Sequence, residues 1–162
     1  MGETGGGAPL RALVHSQFEA FIDPASGRVS TEGPDVRLTA QAGSTLAIAL
    51  HELATNAAKY GALSNAGGRV AIRWQDEEAD GTRSFRLVWQ ESDGPPVAQE
   101  PRRRGFGSKV LGRLTAGALD GEAMLEYRAD GLVWLLVAPW DRVVAATDQP
   151  VAIDNPQAGP PL

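Results

Sequence analysis

Residues 42–60 constrain the fold of this chain more than any other segment. They contain no proline, and apolar residues recur there at spacings of three, four and seven, which is the pattern of an amphipathic helix. The apolar stripe consists of Leu46, Ala49, Leu50, Leu53 and Ala57. Gly61 follows directly and is predicted to cap the C-terminus of the helix. A long helix with one apolar face requires a second layer of structure to cover that face.

A polar stripe borders the apolar one at the same helical spacing, formed by Glu52, Asn56, Lys59 and Tyr60. One interpretation is a solvated shoulder of the helix with a weak side-chain network. The other is a site for a nucleotide and magnesium. The amide oxygen of Asn56 can ligate Mg²⁺, Glu52 can accept a proton or orient a metal-bound water, and Lys59 can face a phosphate as a point charge. The stripe alone leaves both interpretations open.

Shorter patterns predict the other elements. Helical spacing indicates helices at residues 10–22 and 108–118, with Ser108 capping the second. A charged turn is predicted over residues 76–82, between two strands of a hairpin. Alternating patterns indicate strands at residues 29–31, 36–38, 69–74, 85–91, 123–128 and 132–138. Because most of these strands pair as hairpins, we expect an α/β fold, a two-layer α/β sandwich with a largely antiparallel mixed sheet and helices on one face.

Composition limits the classes of function. The net charge of −5 argues against nucleic acid or an anionic membrane as the main partner. The absence of cysteine excludes disulfides, thiolate catalysis and Cys-based zinc sites, and it fits a cytoplasmic location. We expect one folded domain over residues 10–140. Residues 1–9 are interpreted as a linker or a vector-derived remnant, and residues 141–162 as a flexible C-terminal tail.

A glycine-rich loop precedes the second predicted helix. Gly94, Gly105 and Gly107 allow the backbone to approach a phosphate closely, and the helix N-terminus adds unpaired N–H groups. The run 102–104 adds three arginines beside it. The alternative is an ordinary surface loop with a glycine cap, and the spacing does not match a P-loop. Two candidate sites in one small domain favour a phosphate-binding function more than either does alone.

Three motifs together resemble HWE-type sensor histidine kinases. Residues 51–64, from His51 to Ser64, are similar to the N-box of that family. Trp89-Gln90-Glu91 resembles the Trp-x-Glu signature of its G1 box, and residues 104–108 resemble its G2 box. The similarity covers about residues 10–140, and a long motif followed by two further ones is far more specific than a glycine pattern.

The resemblance implies a Bergerat-type fold, Mg²⁺ and ATP as cofactors, and transfer of the γ-phosphoryl group to a histidine. It implies that Asn56 ligates Mg²⁺ and that Glu52 acts as the base or orients water. Glu91 would read the adenine amino group, while Asp93 stands where the family has glycine and either shares that task or weakens binding. Gly105 and Gly107 would form the hinge of a short ATP lid. The remaining predicted ATP-binding residues are Lys59, Tyr60, Gly94, Arg104, Phe106 and Ser108.

Neither histidine of the chain is assigned as the phosphorylated residue. The context of His15 does not resemble the family's phosphoacceptor motif, and His51 lies away from the apolar stripe. The expected partners are therefore a phosphoacceptor dimerisation domain of the same kinase and, indirectly, a response regulator. A degenerate binding module and an ATPase that performs conformational work are the alternatives.

Overall fold

The computed structural model describes residues 7–96 and 106–146, which build a five-stranded mixed sheet. Its order is β1-β2-β3-β5-β4. β1 runs parallel to β2, and the other neighbouring strands are antiparallel. The strands are β1 Val29–Glu32, β2 Arg69–Ala79, β3 Thr82–Ser92, β4 Glu122–Arg128 and β5 Gly131–Pro139. The prediction of a largely antiparallel mixed sheet is confirmed.

The longest described helix is α2, Ala40–Lys59, and a side chain caps its N-terminus. The hydroxyl of Thr39 accepts a hydrogen bond from the backbone N–H of Ala42 at 3.1 Å, which satisfies one free donor of the first turn. The apolar stripe of α2 is fully buried. The other helical segments are α1 Leu10–Phe18, α3 Phe106–Lys109, α4 Thr115–Leu119 and α5 Trp140–Val143, with a 3₁₀ turn at Pro24–Ser26.

The core lies between α2 and one face of the sheet. Strands β2, β3 and β5 alternate buried and less buried residues, as strands with one covered face must. The largest fully buried side chains of the sheet include Trp89, Trp134 and Phe85. Burying a side chain of this size contributes roughly 1.5–3 kcal/mol. The predicted two-layer arrangement is therefore confirmed.

A π-helical turn, Val110–Leu114, joins α3 to α4. The Thr115 hydroxyl donates to the carbonyl of Val110, and the indole N–H of Trp134 donates to the carbonyl of Leu111 at 2.7 Å. The backbone N–H of Thr115 also donates to the carbonyl of Val110, which is the i to i+5 pairing of a π-helical turn.

The prediction of a charged turn over residues 76–82 is wrong. β2 and β3 continue through these residues, and only Asp80 and Gly81 form the turn, with φ of 54° and 76°. Positive φ at both central residues is the type I′ geometry that an Asp-Gly pair favours. The charged residues pair across the strands, as Asp76 and Arg83 do at 2.6 Å, so their polarity does not interrupt the hairpin.

Other predicted boundaries also need correction. Residues 36–38 form isolated bridges of Arg37 with Pro9 and of Leu38 with Val144. The first helix ends at Phe18, and the helix predicted to begin at Ser108 already includes Phe106, so Ser108 is no cap. Packing also extends beyond residue 140 into the predicted tail, because Val143 and Val144 are buried. No helix in the described ranges is long and apolar enough to cross a bilayer.

Candidate functional site

The polar stripe of α2 lies at the margin of the core, as its spacing predicts. Glu52 and Asn56 are half-buried, whereas Lys59 and Tyr60 are exposed. Tyr60 ends the helix with φ −129° and ψ −18°, and its side chain is 77% exposed. The stripe therefore presents a carboxylate and an amide beside the core and a cation at the end of the helix. Their roles toward a ligand stay predictions.

Gly61 follows the helix, but it is not the capping residue that the sequence predicts. Tyr60 is the capping residue, and the N–H of Gly61 donates to the carbonyls of Asn56 and Ala57 at 3.0 and 3.1 Å. A Cβ at position 61 would lie 2.3 Å from Oε1 of Glu91. Glycine is needed here because a carboxylate approaches the backbone closely.

Glu91, in β3, is buried and hydrogen-bonded within the protein. Its side chain is 5% exposed, Oε1 accepts from the N–H of Ala62 at 2.9 Å, and Oε2 accepts from the indole N–H of Trp89 at 3.0 Å. Burial raises the pKa of the Glu91 carboxyl, and the bonds from Ala62 and Trp89 offset part of that rise. A carboxylate has further acceptor positions, so adenine recognition by Glu91 stays a prediction.

The chain beyond β3 returns to the same place. Asp93 is exposed with φ 56°, a conformation that Asp tolerates better than most residues, and its carbonyl accepts from Nδ2 of Asn65 at 3.4 Å. At position 94 a Cβ would lie 2.6 Å from Cα of Ala62, so only glycine fits without displacement. Asp93 and Gly94 thus lie against the loop that follows α2, where Glu91 also lies.

Arg28 is a residue of this site that the sequence did not reveal. Its Nε donates to the carbonyl of Gly68 at 2.9 Å, and its Nη2 donates to the carbonyls of Ala62, at 3.1 Å, and Asn65. These partners lie 34 to 40 residues away along the chain. A single arginine after a glycine carries no local signal for such contacts.

The glycine-rich loop is described only at its two ends. Arg104 and Gly105 lie outside the described residues. Phe106 and Gly107 form the first turn of α3 in the backbone, and Ser108 is exposed within it. The site that the structure assembles therefore consists of the end of α2, the loop 61–68 and the end of β3.

A groove lies on the face of the sheet opposite α2. It is lined by Ala71, Arg73, Gln75, Arg86, Val88 and Gln90. Both of its arginines face carboxylates, since Arg73 lies 3.5 Å from Glu32 and Arg86 lies 3.7 Å from Glu77. This pairing makes the groove a poorer place for phosphate than the end of α2.

Histidine kinases of Brucella species are similar in sequence to most of this chain. No protein-family model matches it. A blue-light-activated histidine kinase of Brucella anthropi is 36% identical over 133 residues, covering 82% of this chain and 27% of that protein. The protein of the same name from Brucella ovis is 36% identical over 137 residues, covering 85% of this chain and 28% of that protein. The chain thus spans about a quarter of the length of these relatives.

Solved structures share the fold. The catalytic domain of histidine kinase ThkA superposes with a TM-score of 0.58 at 19% identity, covering 82% of this chain and 94% of that domain. The blue-light-activated histidine kinase EL346 of Erythrobacter litoralis gives a TM-score of 0.56 at 14% identity, covering 80% of this chain and 43% of that one. The similarity of sequence and the similarity of fold point to the same class of domain.

Proposed function

Because this chain belongs to the histidine kinase catalytic domains, we propose that it binds ATP with Mg²⁺ and transfers the γ-phosphoryl group to a histidine on another domain. The observation that carries the proposal is the convergence at the end of α2. There the half-buried Glu52 and Asn56 precede a loop that contacts Glu91 of the next motif and Gly94 just beyond it. The first two motifs of the family resemblance meet there through Ala62 and Glu91, which are 29 residues apart along the chain.

The side chains on this shoulder suit a magnesium nucleotide. Asn56 offers one uncharged hard oxygen, and Mg²⁺ commonly takes one or two protein ligands together with phosphate oxygens and water. When bound, Mg²⁺ neutralises charge on the phosphates. Lys59 would add a mobile positive charge at the end of the helix. Asp93 and the buried Glu91 are the carboxylates close to where adenine would bind.

Glu52 is the group that would handle the proton. In phosphoryl transfer to histidine, the imidazole nitrogen forms a bond to the γ-phosphorus as the bond to the ADP oxygen breaks. Glu52 would accept the imidazole proton or hold the ring in the orientation for attack. Catalysis would otherwise consist of positioning and charge stabilisation.

The partners follow from this chemistry. The phosphate acceptor would be a histidine-bearing dimerisation domain of the same kinase, and a response regulator would receive the phosphate later. ThkA has been crystallised in complex with the response regulator TrrA, which supports a response regulator as a partner for a protein of the same fold. The need for ATP favours a cytoplasmic location.

Calorimetric titration with Mg-ATP tests the proposal. We expect binding by the unaltered chain, a loss of affinity of about tenfold or more in Asn56→Ala, and no change in the control Gln75→Ala on the other face of the sheet. No binding at millimolar nucleotide would refute both the kinase and the ATPase interpretations.

Transfer is tested separately by adding a histidine-bearing partner domain and following labelled phosphate. We expect Glu52→Gln to retain nucleotide binding and to lose about 10²-fold or more in transfer rate. Binding without any transfer by the unaltered chain would support the alternative of a degenerate binding module. Steady hydrolysis without transfer would support the ATPase.

A further inference from the structure

The backbone of Ala62 is bound on both sides by ionisable side chains. Its N–H donates to the carboxylate of Glu91 at 2.9 Å, and its carbonyl accepts from Nη2 of Arg28 at 3.1 Å. Ala62 is itself buried. Hydrogen bonds to charged partners are stronger than neutral ones. Two such bonds, one to each of the peptide groups that meet at Ala62, fix the position of this residue.

The backbone of Arg28 is in turn hydrogen-bonded to the sheet. Its carbonyl accepts from the N–H of Val70 at 2.9 Å, at the start of β2. The guanidinium then crosses the loop and reaches the carbonyls of Gly68 and Asn65 as well as that of Ala62. One side chain therefore binds both the beginning and the end of the loop 61–68.

Close packing around Ala62 leaves little room for movement. A Cβ at Gly68 would lie 1.7 Å from the Ala62 carbonyl oxygen, and a Cβ at Gly94 would lie 2.6 Å from its Cα. The two glycines let the backbone approach from opposite chain segments. Any displacement of Ala62 would thus be transmitted to the end of β3.

The same loop is continuous with the polar stripe. The N–H of Gly61 donates to the carbonyl of Asn56, and the N–H of Leu63 donates to the carbonyl of Ala57 at 3.0 Å in each case. The last turn of α2 is therefore tied to the residues on both sides of Ala62. Asn56, Lys59 and Tyr60 are carried by that turn.

We propose that Arg28 is a positioning residue for the nucleotide site, which acts by holding Ala62 against Glu91 and so fixes the last turn of α2 relative to Asp93 and Gly94. It does so without touching the ligand. This inference rests on the proposed nucleotide binding. It differs from a direct role of the arginine charge, since the guanidinium is engaged by three carbonyl groups of the loop.

The test compares Arg28→Met and Arg28→Lys with the control Arg37→Met. Arg37 also donates to a backbone carbonyl, that of Gly7 at 3.2 Å, but on another part of the surface. Methionine keeps the apolar length of the side chain and removes its donors. Lysine keeps the charge, but one ammonium cannot occupy the separate Nε and Nη2 positions.

Two quantities are measured at a temperature where every variant is fully folded. The first is the Kd for Mg-ATP, and the second is hydrogen exchange of the Ala62 amide without nucleotide. We expect Arg28→Met and Arg28→Lys to weaken ATP binding about tenfold, the lower end of what losing an outer partner costs at a metal site. Protection of the Ala62 amide should fall in both, and Arg37→Met should match the unaltered chain.

Transfer kinetics distinguish positioning from a catalytic role. Because Arg28 contacts no reacting atom in this proposal, the KM for ATP should rise while kcat at saturating ATP stays unchanged. Unaltered affinity in Arg28→Met would overturn the proposal, and so would full affinity in Arg28→Lys, since charge alone would then suffice. If the unaltered chain binds no ATP, the proposed function fails. Faster hydrogen exchange of the Ala62 amide in Arg28→Met would still show that Arg28 holds the loop 61–68 in place.

Discussion

Strand β2 is held differently at its two ends. At its start, the loop 61–68 is fixed by Glu91 and Arg28 through hydrogen bonds to the backbone, and Glu91 is buried. At its other end, the turn at Asp80 is flanked by surface ion pairs such as Arg83 with Asp76 and Arg86 with Glu77. All four of these side chains are more than a third exposed. The two ends of one strand thus differ in burial and in what their charges bind.

Buried and exposed charges contribute differently to fixing the backbone in this domain. Removing a buried acceptor leaves its donor unsatisfied, which costs about 1–3 kcal/mol. The charges of an exposed ion pair remain solvated whether or not they pair, so the pair contributes only about 0–1 kcal/mol to the free energy of unfolding. The end beside the polar stripe of α2 is therefore fixed in geometry, whereas the hairpin end needs only to reverse the chain.

Substitution by alanine at Gly68 and at Gly81 should give the largest difference in the free energy of unfolding between the two ends. Gly68→Ala places a Cβ 1.7 Å from the backbone oxygen of Ala62, and we expect the free energy of unfolding to fall by about 3 kcal/mol. Gly81 has φ 76° with nothing within 4 Å of its Cβ position, so Gly81→Ala should cost only about 1 kcal/mol of backbone strain. Urea denaturation measures both. Equal losses would contradict the distinction between the two ends.

Glu91→Gln tests the start of β2, where Glu91 is buried, through the pH dependence of the free energy of unfolding. Because burial raises the pKa of Glu91, the folded state holds this proton more tightly than the unfolded chain does. Its stabilising contribution is complete below the ordinary glutamate pKa of about 4.3. That contribution is lost as pH rises through the raised pKa of the folded state. The unfolding free energy of the unaltered chain minus that of Glu91→Gln should therefore fall as pH rises from 4 to 7.

Urea denaturation of both proteins at several pH values provides the measurement. Asp76→Asn is the control at the exposed end of the strand, where the carboxylate pairs with Arg83 at the surface. A difference for Glu91→Gln that rises with pH would show that its hydrogen bonds outweigh burial, which is the opposite of the expected sign.

Glu77→Gln should have the smallest effect. It removes an exposed pair with a 3.7 Å separation from Arg86, and we expect a change of about 0.3 kcal/mol in the free energy of unfolding. The Kd for Mg-ATP should be unchanged, since this pair is at the other end of β2 from the polar stripe. A loss of affinity comparable to that of Arg28→Met would show that the two ends are coupled.

The elements that sequence predicted well share one property, which is a local and repeated pattern. The apolar stripe of α2 and the β4–β5 hairpin follow from spacings of a few residues. The pattern also predicts the hairpin of β2 and β3, but the charged residues 76–78 belong to β2 and not to the predicted turn, because cross-strand pairing is invisible along one strand. Residues 36–38 have the pattern of a strand, but the sequence does not show that Arg37 and Leu38 pair only through isolated bridges.

The residues of the site divide in the same manner. Glu52, Asn56 and Lys59 could be placed on one shoulder of α2 from their spacing, and Glu91 from its motif. The burial of Glu91, its bond to Ala62 and the space that Gly61 leaves for it could not, because they join segments that are separate in sequence.

The long helix with its two stripes, the antiparallel hairpins and the family resemblance follow from the sequence alone, and the histidine kinases of Brucella confirm the resemblance. The parallel position of β1 beside β2 and the reach of Arg28 over the loop 61–68 to Ala62 follow only from packing in three dimensions. The physical reason is range. Helical and strand periodicity arise from neighbours in sequence, whereas a buried carboxylate or a guanidinium finds its backbone partners only after the sheet and helix have packed.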